Sequence, residues 1–521
     1  MNRGTFSITV GDRLDAGRMA TLLWISTAGF VASTVILLLV SRLGLPLYFT
    51  YLAVVSMFGI AVCSFAWVGR TMTGPHFFFA EQKGLPSVTG IGGGTDWASG
   101  AWIFLLVSCT AEQQLIWAPA LMLGLLMMSV LFAGAFFRSG VSTLPGFFAW
   151  RYPKSDIDTL AMIVVSILLF MLTLAEFEVA SRVLSTIGVT PPATVGWIVL
   201  ALAIFPILMG GWLSLIFVNV VLVVWMLIAI LAPATLLGFA PQILNADSAG
   251  VIDAVILSPL GPLTTLSFSA DGGGTSFVWL FSLACGFSVL PHVFSRLVLG
   301  RNAGATMEHL GWSALFVFLV LTASALSIGS IVQSADNIST RLLASNHMLH
   351  ILPYMAVFIA ALNALSATLL ALSATIVRGV RRKRKLDPGE RSMFSTRLTT
   401  VILAIVIGWT FMTRDIPIPT LFILAITLAS GALFMPMVAA VWLTRLPSHV
   451  PLTIMSAGAF VGTLEIWHGL FDGPGTAFAS PAHAAFTVTI VGGVYVTGTK
   501  IANHVLKRNV PDPQATVLRG D

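Results

Sequence analysis

Three acidic residues stand inside segments of the chain that otherwise consist almost entirely of apolar residues. Asp96 lies in VTGIGGGTDWASGAWIF (residues 88–104), and Glu176 and Glu178 lie in TLAEFEVASR (residues 173–182). A carboxylate removed from water is costly unless a cation or hydrogen-bond donors compensate it. Residues of this kind can hold an ion pair, bind a cation or take up a proton, so each is a candidate functional residue.

The spacing in the second segment separates the two glutamates. Glu178 and Arg182 are four residues apart, which places them on one face of a helix and predicts an ion pair between them. Glu176 has no such partner in the sequence, and a carboxyl group buried without a partner can take up a proton. We therefore predict that Glu176, together with Asp96, carries a proton. Asp96 has an alternative role, because aspartate also caps the first turn of a helix.

A histidine and an arginine follow a proline in CGFSVLPHVFSR (residues 285–296). Pro291 has no backbone N–H, so the carbonyl of Phe287 loses its helical partner. His292 can bind a solute or relay protons, or it can satisfy the freed carbonyl. Arg296, one turn later, is expected towards the cytoplasmic end of its helix, where it contributes to membrane topology.

The composition identifies the class of protein that must position these side chains. Of the 521 residues, 57% are hydrophobic and only 9% are charged, whereas soluble chains have about 25% charged residues. Runs of about 20 apolar residues recur along the chain, which is typical of helices that cross a bilayer. The sequence therefore predicts an all-α protein that crosses the lipid bilayer many times.

Several function classes are disfavoured by what the sequence lacks. Its three cysteines, Cys63, Cys109 and Cys285, lie in or beside apolar runs without metal-ligand spacing. The sequence contains no HExxH, GxSxG or CxxC motif, and GIGGGT lacks the strand–turn–helix context of a dinucleotide loop. We therefore predict neither an enzyme nor a bound cofactor. The net charge of +6 does not require a nucleic-acid partner. The basic residues concentrate on one predicted side of the membrane, which explains the charge as a topology signal.

Hydropathy predicts about fourteen transmembrane helices. Their approximate ranges are 20–43, 48–70, 87–108, 115–136, 158–188, 194–210, 213–238, 275–300, 308–333, 350–379, 395–413, 416–444, 451–469 and 484–505. The first range is longer than the apolar part of a typical signal peptide and no cleavage site follows it, so we expect a retained helix.

The basic residues predict the orientation. With fourteen spans, all of the 27 lysines and arginines except Arg42, Arg182, Arg341 and Arg414 fall on the side that holds both termini. Basic residues accumulate on the cytoplasmic side of membrane proteins. We therefore predict a multi-pass protein of the cell membrane with both termini in the cytoplasm. The VRGVRRKRK segment (residues 377–385) contributes most to this signal and could alternatively bind anionic lipid headgroups.

Two of the predicted spans contain helix-breaking residues at matching places. The third span contains Gly90, Gly92, Gly93 and Gly94, and the eighth contains Gly286 and Pro291. Freed backbone groups are tolerated inside a membrane only against protein or a wet cavity. We therefore expect the glycines to interrupt the third span, and both breaks to face a polar pocket near the middle of the bilayer.

The interval between the two broken spans predicts an internal repeat. They are five helices apart, and five is odd, so two five-helix units beginning at them have inverted orientations. The corresponding division is 1–70 for two extra helices, 71–240 and 241–446 for the two repeats, and 447–521 for two C-terminal helices and a tail. Inverted repeats with paired broken helices are typical of carriers that work by alternating access.

Four motifs in order resemble the solute:sodium symporter family, and most closely its acetate and monocarboxylate permease branch. They are FFFAEQKGLPSVTGIGGGTDWASGAWIF (77–104), STLPGFFAWRYP (142–153), LMGGWLS (208–214) and GFSVLPHVFSR (286–296), and the resemblance extends from about Phe77 to Leu446. It implies a ten-helix core made of two inverted repeats, with broken first and sixth core helices. It also implies transport of a small solute coupled to a cation.

The same resemblance implies a cation site, from which this sequence departs. The matching positions are Gly94 and Trp97, whose carbonyls would bind the ion, and Ala360, Asn363 and Ala364 on the eighth core helix. The adjacent pair of hydroxyl side chains expected at the last two positions is absent, and Asn219 stands where much of the family has an aspartate. Either Na⁺ or H⁺ therefore remains open as the coupling ion.

The combined expectation is a secondary active transporter for a short monocarboxylate. The predicted substrate site contains Thr95, Asp96, Trp97, Phe287, Ser288 and His292, and half-helix N-termini could hold a carboxylate without a dedicated arginine. The alternative is a membrane sensor that keeps a symporter fold without net transport. Such receptors usually add a cytoplasmic signalling domain, for which the segment after Asn503 is short.

Overall fold

The computed structural model describes residues 16–42, 47–70, 86–108, 111–153, 155–188, 192–239, 273–298, 302–333, 347–383, 390–413, 418–443, 446–471 and 481–505. These residues form helices and short connections, and none of them forms a β-strand. Both chain termini, the start of the first family-like motif (77–85) and the junction of the two predicted repeats (240–272) lie outside the described residues.

The helices of the first half precede residue 240. They are α1 (Ala16–Arg42), α2 (Leu47–Val68), α3 (Pro86–Trp97), α4 (Gly100–Ser108), α5 (Ala111–Met127), α6 (Gly134–Ser139), α7 (Leu144–Arg151), α8 (Ile157–Gly188), α9 (Pro192–Gly210) and α10 (Trp212–Phe239). A π-helical turn at Met128–Ala133 joins α5 to α6 without a break.

The helices of the second half follow residue 272. They are α11 (Gly273–Phe287), α12 (Pro291–Leu297), α13 (Ala303–Gln333), α14 (His347–Lys383), α15 (Glu390–Thr413), α16 (Ile418–Ala429), α17 (Met435–Trp442), α18 (His449–Phe471) and α19 (Pro481–Val505). A second π-helical turn, Ser430–Phe434, joins α16 to α17.

Length and composition confirm an all-α membrane protein. Within the described part of the chain, nine helices are long and apolar enough to cross a bilayer, and the bent pair α11–α12 adds a tenth. Shorter apolar stretches lie at Ala20–Ile36, Leu52–Val68 and Thr194–Gly210. Each of the fourteen predicted ranges overlaps helical residues. The number of spans, their orientation and the inverted repeat stay predictions.

Two long helices form the centre of the bundle. α8 and α14 make the most extensive interhelical contact, and the span within α14 is 94% buried, compared with 28% for the span within α15. The broken pairs α3–α4 and α11–α12 pack beside this centre, because α4 and α12 both contact α14. The most buried helix therefore runs beside both helix breaks.

The first helix break is not where the glycines predict it. α3 continues through Gly90–Gly94 to Trp97, and the interruption falls at Ala98 and Ser99, so the expected position of the break is wrong. The glycines instead allow close packing of α3 on α13. A Cβ atom on Gly90 would lie 2.5 Å from the backbone oxygen of His309, and one on Gly94 would overlap the ring of Phe316.

This packing gives a stability prediction for Gly90→Ala. The added methyl group would have to displace the α13 backbone, so we expect the variant to lose about 1–3 kcal/mol of stability, as overpacked cores do. Thermal unfolding of the purified protein in detergent, followed by tryptophan fluorescence, measures the loss. Gly311→Ala on α13 is the matched control, because no atom lies within 4 Å of its Cβ position. An equal loss in the two variants would contradict the packing explanation.

The second break lies where the sequence predicts it. α11 ends at Phe287, α12 begins at Pro291, and the two helices are bent by 45°. Proline suits the first turn of a helix but disfavours helical geometry for the residue before it. Leu290 is accordingly extended, with φ −63° and ψ 117°. The chain is therefore forced out of the helix for three residues at Ser288–Leu290.

The turn between α9 and α10 positions the α10 side chains that reach the site, Trp212 and Asn219. α9 ends at Gly210 and α10 begins at Trp212, and the intervening Gly211 has a φ of 57°. This left-handed conformation is unstrained only for glycine among the common residues. A Cβ on Gly210 would overlap the backbone carbonyl of Gly69. Gly211 is therefore needed for the backbone conformation of the turn, and Gly210 for the close approach of the Gly69 carbonyl.

Candidate functional site

The two helix breaks lie against each other. Nε2 of His292, in the first turn of α12, is 3.2 Å from the backbone oxygen of Asp96, near the end of α3. Both side chains are buried, with 3% of each residue exposed. With hydrogen on Nε2, the ring donates to this carbonyl. His292 therefore satisfies a backbone carbonyl, but that of Asp96 in the other broken helix rather than that of Phe287.

Asp96 and Arg296 form a buried ion pair with two contacts. Nε of Arg296 lies 2.5 Å from Oδ2 of Asp96, and Nη2 donates to Oδ1 at 3.1 Å. Each side chain is only 1% exposed. Only the contact from Nη2 has the geometry of a hydrogen bond, and the one from Nε is a close contact of opposite charges. Arg296 therefore has a role that the sequence analysis did not predict, because its charge neutralises Asp96 inside the bundle.

Polar residues from two further helices extend this pair. The Asn219 amide satisfies its neighbours when its oxygen accepts from Nη2 of Arg296 at 2.7 Å and its nitrogen donates to Oδ1 of Asn363 at 3.2 Å. The guanidinium carbon lies 5.2 Å from the ring centroid of Trp212, within cation–π range. The resulting network, called here the Arg296 network, joins α3, α10, α12 and α14. It explains how a charge is tolerated at this depth.

Glu176 meets the other side of the first break. Its Oε2 accepts a hydrogen bond from the backbone N–H of Ala101 at 3.1 Å, and Ser99 and the N–H of Gly100 also interact with its carboxylate. These groups form the beginning of α4, where the first N–H groups lack helical acceptors. Glu176 is 1% exposed. It belongs to none of the ion pairs found among the described residues.

The predicted pairing of the neighbouring glutamate is confirmed. Nη2 of Arg182 donates to Oε1 of Glu178 at 2.6 Å, four residues apart on α8. Two carboxylates on one helix are thus compensated differently. Glu178 has a cation, whereas Glu176 has hydrogen bonds from the start of a broken helix.

A small pocket lies between the two breaks. Its walls come from both broken pairs and from α8, α14 and α16, and they comprise Asp96, Trp97, Ser99, Leu172, Glu176, Phe287, Leu290, His292, Ala364, Thr368, Phe422 and Ile426. The enclosed space is about as large as one water molecule requires. The pocket is therefore small, and its lining combines polar side chains with a larger number of apolar ones.

The predicted substrate residues divide between the pocket and its surroundings. Asp96, Trp97, Phe287 and His292 line the pocket. Thr95 and Ser288 are not among the lining residues. Their buried hydroxyls donate to carbonyls of their own segments, that of Thr95 to Gly92 at 3.4 Å and that of Ser288 to Cys285 at 2.7 Å.

The predicted cation residues are likewise divided. Ala364 lines the pocket, and Ala360 and Asn363 are buried beside it on α14. The carbonyl of Gly94 accepts from the N–H of Ala98 at 2.9 Å, and Trp97 ends α3 at the break. The amide oxygen of Asn363 faces Asn219 in the Arg296 network. Within the described residues, no group of three or more His, Cys, Asp and Glu side chains could hold a metal ion.

Much of the apolar wall carries no signal in the sequence. Leu172, Phe422 and Ile426 lie within largely apolar stretches of α8 and α16, where their residue types do not distinguish them from their neighbours. The rings of Phe287 and Phe422 lie 6.3 Å apart and cover the pocket together. The contacts of α16 with α8 and with the broken helices bring Phe422 here.

Comparison with known proteins shows a shared fold. No family model matches the chain, and no curated protein matches it. A substrate-bound, outward-open structure of a Na⁺-coupled sialic acid symporter is similar over 88% of this chain and 97% of its own, with a TM-score of 0.63 and 13% sequence identity. A mutant of the Eremococcus coleocola manganese transporter has a TM-score of 0.43 and 12% identity over 82% of this chain and 98% of its own. The first similarity shows that the chain has the fold of a membrane transporter.

Proposed function

We propose that this protein is a secondary active transporter that couples uptake of a short monocarboxylate to a cation gradient by alternating access. The observation that carries the proposal is the contact of two broken helices beside a small pocket lined by both polar and apolar side chains. Broken helices place free backbone groups inside a membrane only where they serve a cavity. The shared fold with a Na⁺-coupled symporter supports the same conclusion.

The chemistry of the pocket favours a small carboxylate as the solute. Ser99 and the first N–H groups of α4 are donors suited to a carboxylate, and the positive end of the helix dipole favours an anion. Leu172, Phe287 and Phe422 offer apolar contact to a short alkyl chain. Because the closed space is small, a short solute needs the least opening of the walls.

The choice of coupling ion is inferred from the partners of the two buried acidic residues, Asp96 and Glu176. Asp96 is neutralised by Arg296, so of the two proton-carrying candidates Glu176 is the better placed. A Na⁺ site at Gly94, Trp97, Ala360, Asn363 and Ala364 lacks hydroxyl side chains, and the one amide oxygen is directed to Asn219. We therefore propose H⁺ as the coupling ion, with Na⁺ as the alternative, in a cell-membrane protein with both termini in the cytoplasm.

Uptake by proteoliposomes tests the function. Radiolabelled acetate, propionate, butyrate and larger carboxylates are offered while inward Na⁺ and H⁺ gradients are imposed separately. We expect at least one short monocarboxylate to accumulate under the H⁺ gradient, and collapse of the gradient by an ionophore to abolish accumulation. Accumulation that requires Na⁺ and ignores pH would overturn the choice of ion. Binding without net flux would instead identify a sensor.

A further inference from the structure

We propose that the substrate carboxylate and Glu176 compete for the same backbone donors at the start of α4, so that the substrate binds only when Glu176 is protonated. This inference rests on the proposed function. It adds a mechanism by which one proton accompanies each monocarboxylate. In the empty protein the Glu176 carboxylate then accepts the hydrogen bonds that the substrate carboxylate accepts when it is bound, and it is displaced in every cycle.

The hydrogen bonds of Glu176 are the first support. Its carboxylate accepts from the N–H of Ala101 and interacts with Ser99 and the N–H of Gly100, and both Ser99 and Glu176 line the pocket. Ser99 also caps α4, because its hydroxyl accepts from the N–H of Trp102 at 3.3 Å. A bound substrate carboxylate would need the same first-turn donors. Two carboxylates cannot both take them.

The charges around Glu176 are the second support. Asp96, the nearest other acid, is held by Arg296 in a two-point contact, so that pair adds no net charge to the pocket. The other titratable group of the pocket is His292, whose Nε2 is engaged by the backbone oxygen of Asp96. Arg182, six residues further along α8, is paired with Glu178. A substrate anion beside ionised Glu176 would therefore meet repulsion with no cation to offset it.

An unused acceptor in the pocket is the third support. Nδ1 of His292 is buried and has no hydrogen-bond partner among the described residues. When Nε2 carries the hydrogen that Asp96 accepts, Nδ1 is a bare acceptor. His292 lines the pocket, and a bare acceptor on its ring is suited to a group that bears a proton, such as a neutral carboxyl, and not to a carboxylate. The pocket therefore suits one protonated carboxyl group.

The transport step balances in protons and charge. A proton from the outer solution binds the Glu176 carboxylate, which releases the N–H groups of α4. The substrate carboxylate then accepts those hydrogen bonds. After the pocket opens to the cytoplasm, the substrate leaves, Glu176 releases its proton there and takes the N–H groups again. Each cycle moves one proton and one monocarboxylate, so transport is electroneutral.

Glu176→Gln separates exchange from coupling. The amide is neutral at every pH, so we expect exchange of labelled for unlabelled substrate across the liposome membrane to be independent of pH in this variant, whereas exchange by wild-type protein should fall as the pH rises. We expect accumulation driven by a pH gradient to fall at least tenfold. Glu178→Gln is the matched control on the same helix, and it should retain gradient-driven accumulation. Gradient-driven accumulation by Glu176→Gln at the wild-type level would overturn the proposal.

A measurement on the wild-type protein tests the proposal even if Glu176→Gln does not fold. Substrate added to wild-type protein in weakly buffered detergent solution, at a pH alkaline enough for Glu176 to be ionised, should remove about one proton per molecule bound, as a pH indicator reports. Binding without proton uptake would overturn the competition. If wild-type protein exchanges none of the monocarboxylates, the proposed function fails. If it exchanges them without proton uptake, only this inference fails.

Discussion

Replacing Arg296 with methionine should lower the stability of the folded protein by about 3–5 kcal/mol, the usual cost of removing one partner from a buried ion pair. The variant leaves the Asp96 carboxylate 1% exposed with no cation within the Arg296 network. Asn219 would also lose the donor that its oxygen accepts from. A fall in the apparent melting temperature of the purified protein in detergent, with a lower yield from membranes, measures the effect.

A double-mutant cycle tests the cause of this loss. If the unpaired Asp96 carboxylate is responsible, Asp96→Leu combined with Arg296→Met should recover much of the stability, because a buried charge no longer remains. Arg182→Met is the control, since its side chain is 29% exposed and its pair should contribute less. A double variant no more stable than Arg296→Met alone would refute the charge explanation.

The same pair bears on how the pocket could open. Asp96 is joined to α12 twice, through its carboxylate by Arg296 and through its backbone oxygen by His292. Separation of α3 from α12 would therefore leave two charges and a carbonyl buried without partners, which is costly in a membrane. We expect the two broken pairs to move as one body, with opening achieved against other walls of the pocket, such as α8 and α16.

The sequence identifies the polar side of the site well. Asp96, Glu176 and His292 stand out because each is polar inside an apolar segment, and all three line one pocket. It could not identify Arg296 as the partner of Asp96, because the two are 200 residues apart and spacing predicts pairs only within one helix. It could not identify Phe422 either, since nothing distinguishes one apolar residue of α16 from the next.

The position of the first break shows a different limit. Glycine weakens a helix, but glycines four residues apart, such as Gly90 and Gly94, also form the small-residue face that lets membrane helices approach closely. Composition alone does not separate these effects. The contacts with His309 and Phe316 decide in favour of packing. The short break at Ala98–Ser99 is instead accompanied by a polar contact, since Glu176 satisfies the N–H of Ala101 beyond it.

Replacing Phe422 with alanine should shift solute preference towards longer chains. Its ring, with that of Phe287, covers the apolar side of the pocket, and the closed space is about that of one water molecule. One methylene more or less in an apolar pocket changes discrimination by about 1–3 kcal/mol. We therefore expect the ratio of kcat/KM for hexanoate to that for acetate to rise by about tenfold or more.

The shift in solute preference should occur only for a ring that lines the pocket, and it should increase with the volume removed from that ring. Phe411→Ala is the control, because that ring packs edge-on against Phe177 at 5.1 Å and does not line the pocket. Phe422→Leu removes less volume and should give a smaller shift, while limiting the stability lost when a large core side chain is truncated. An unchanged ratio in Phe422→Ala, or an equal change in Phe411→Ala, would place the solute elsewhere. A graded shift confined to Phe422 would place the alkyl chain of the solute between α11 and α16, opposite the donors of α4.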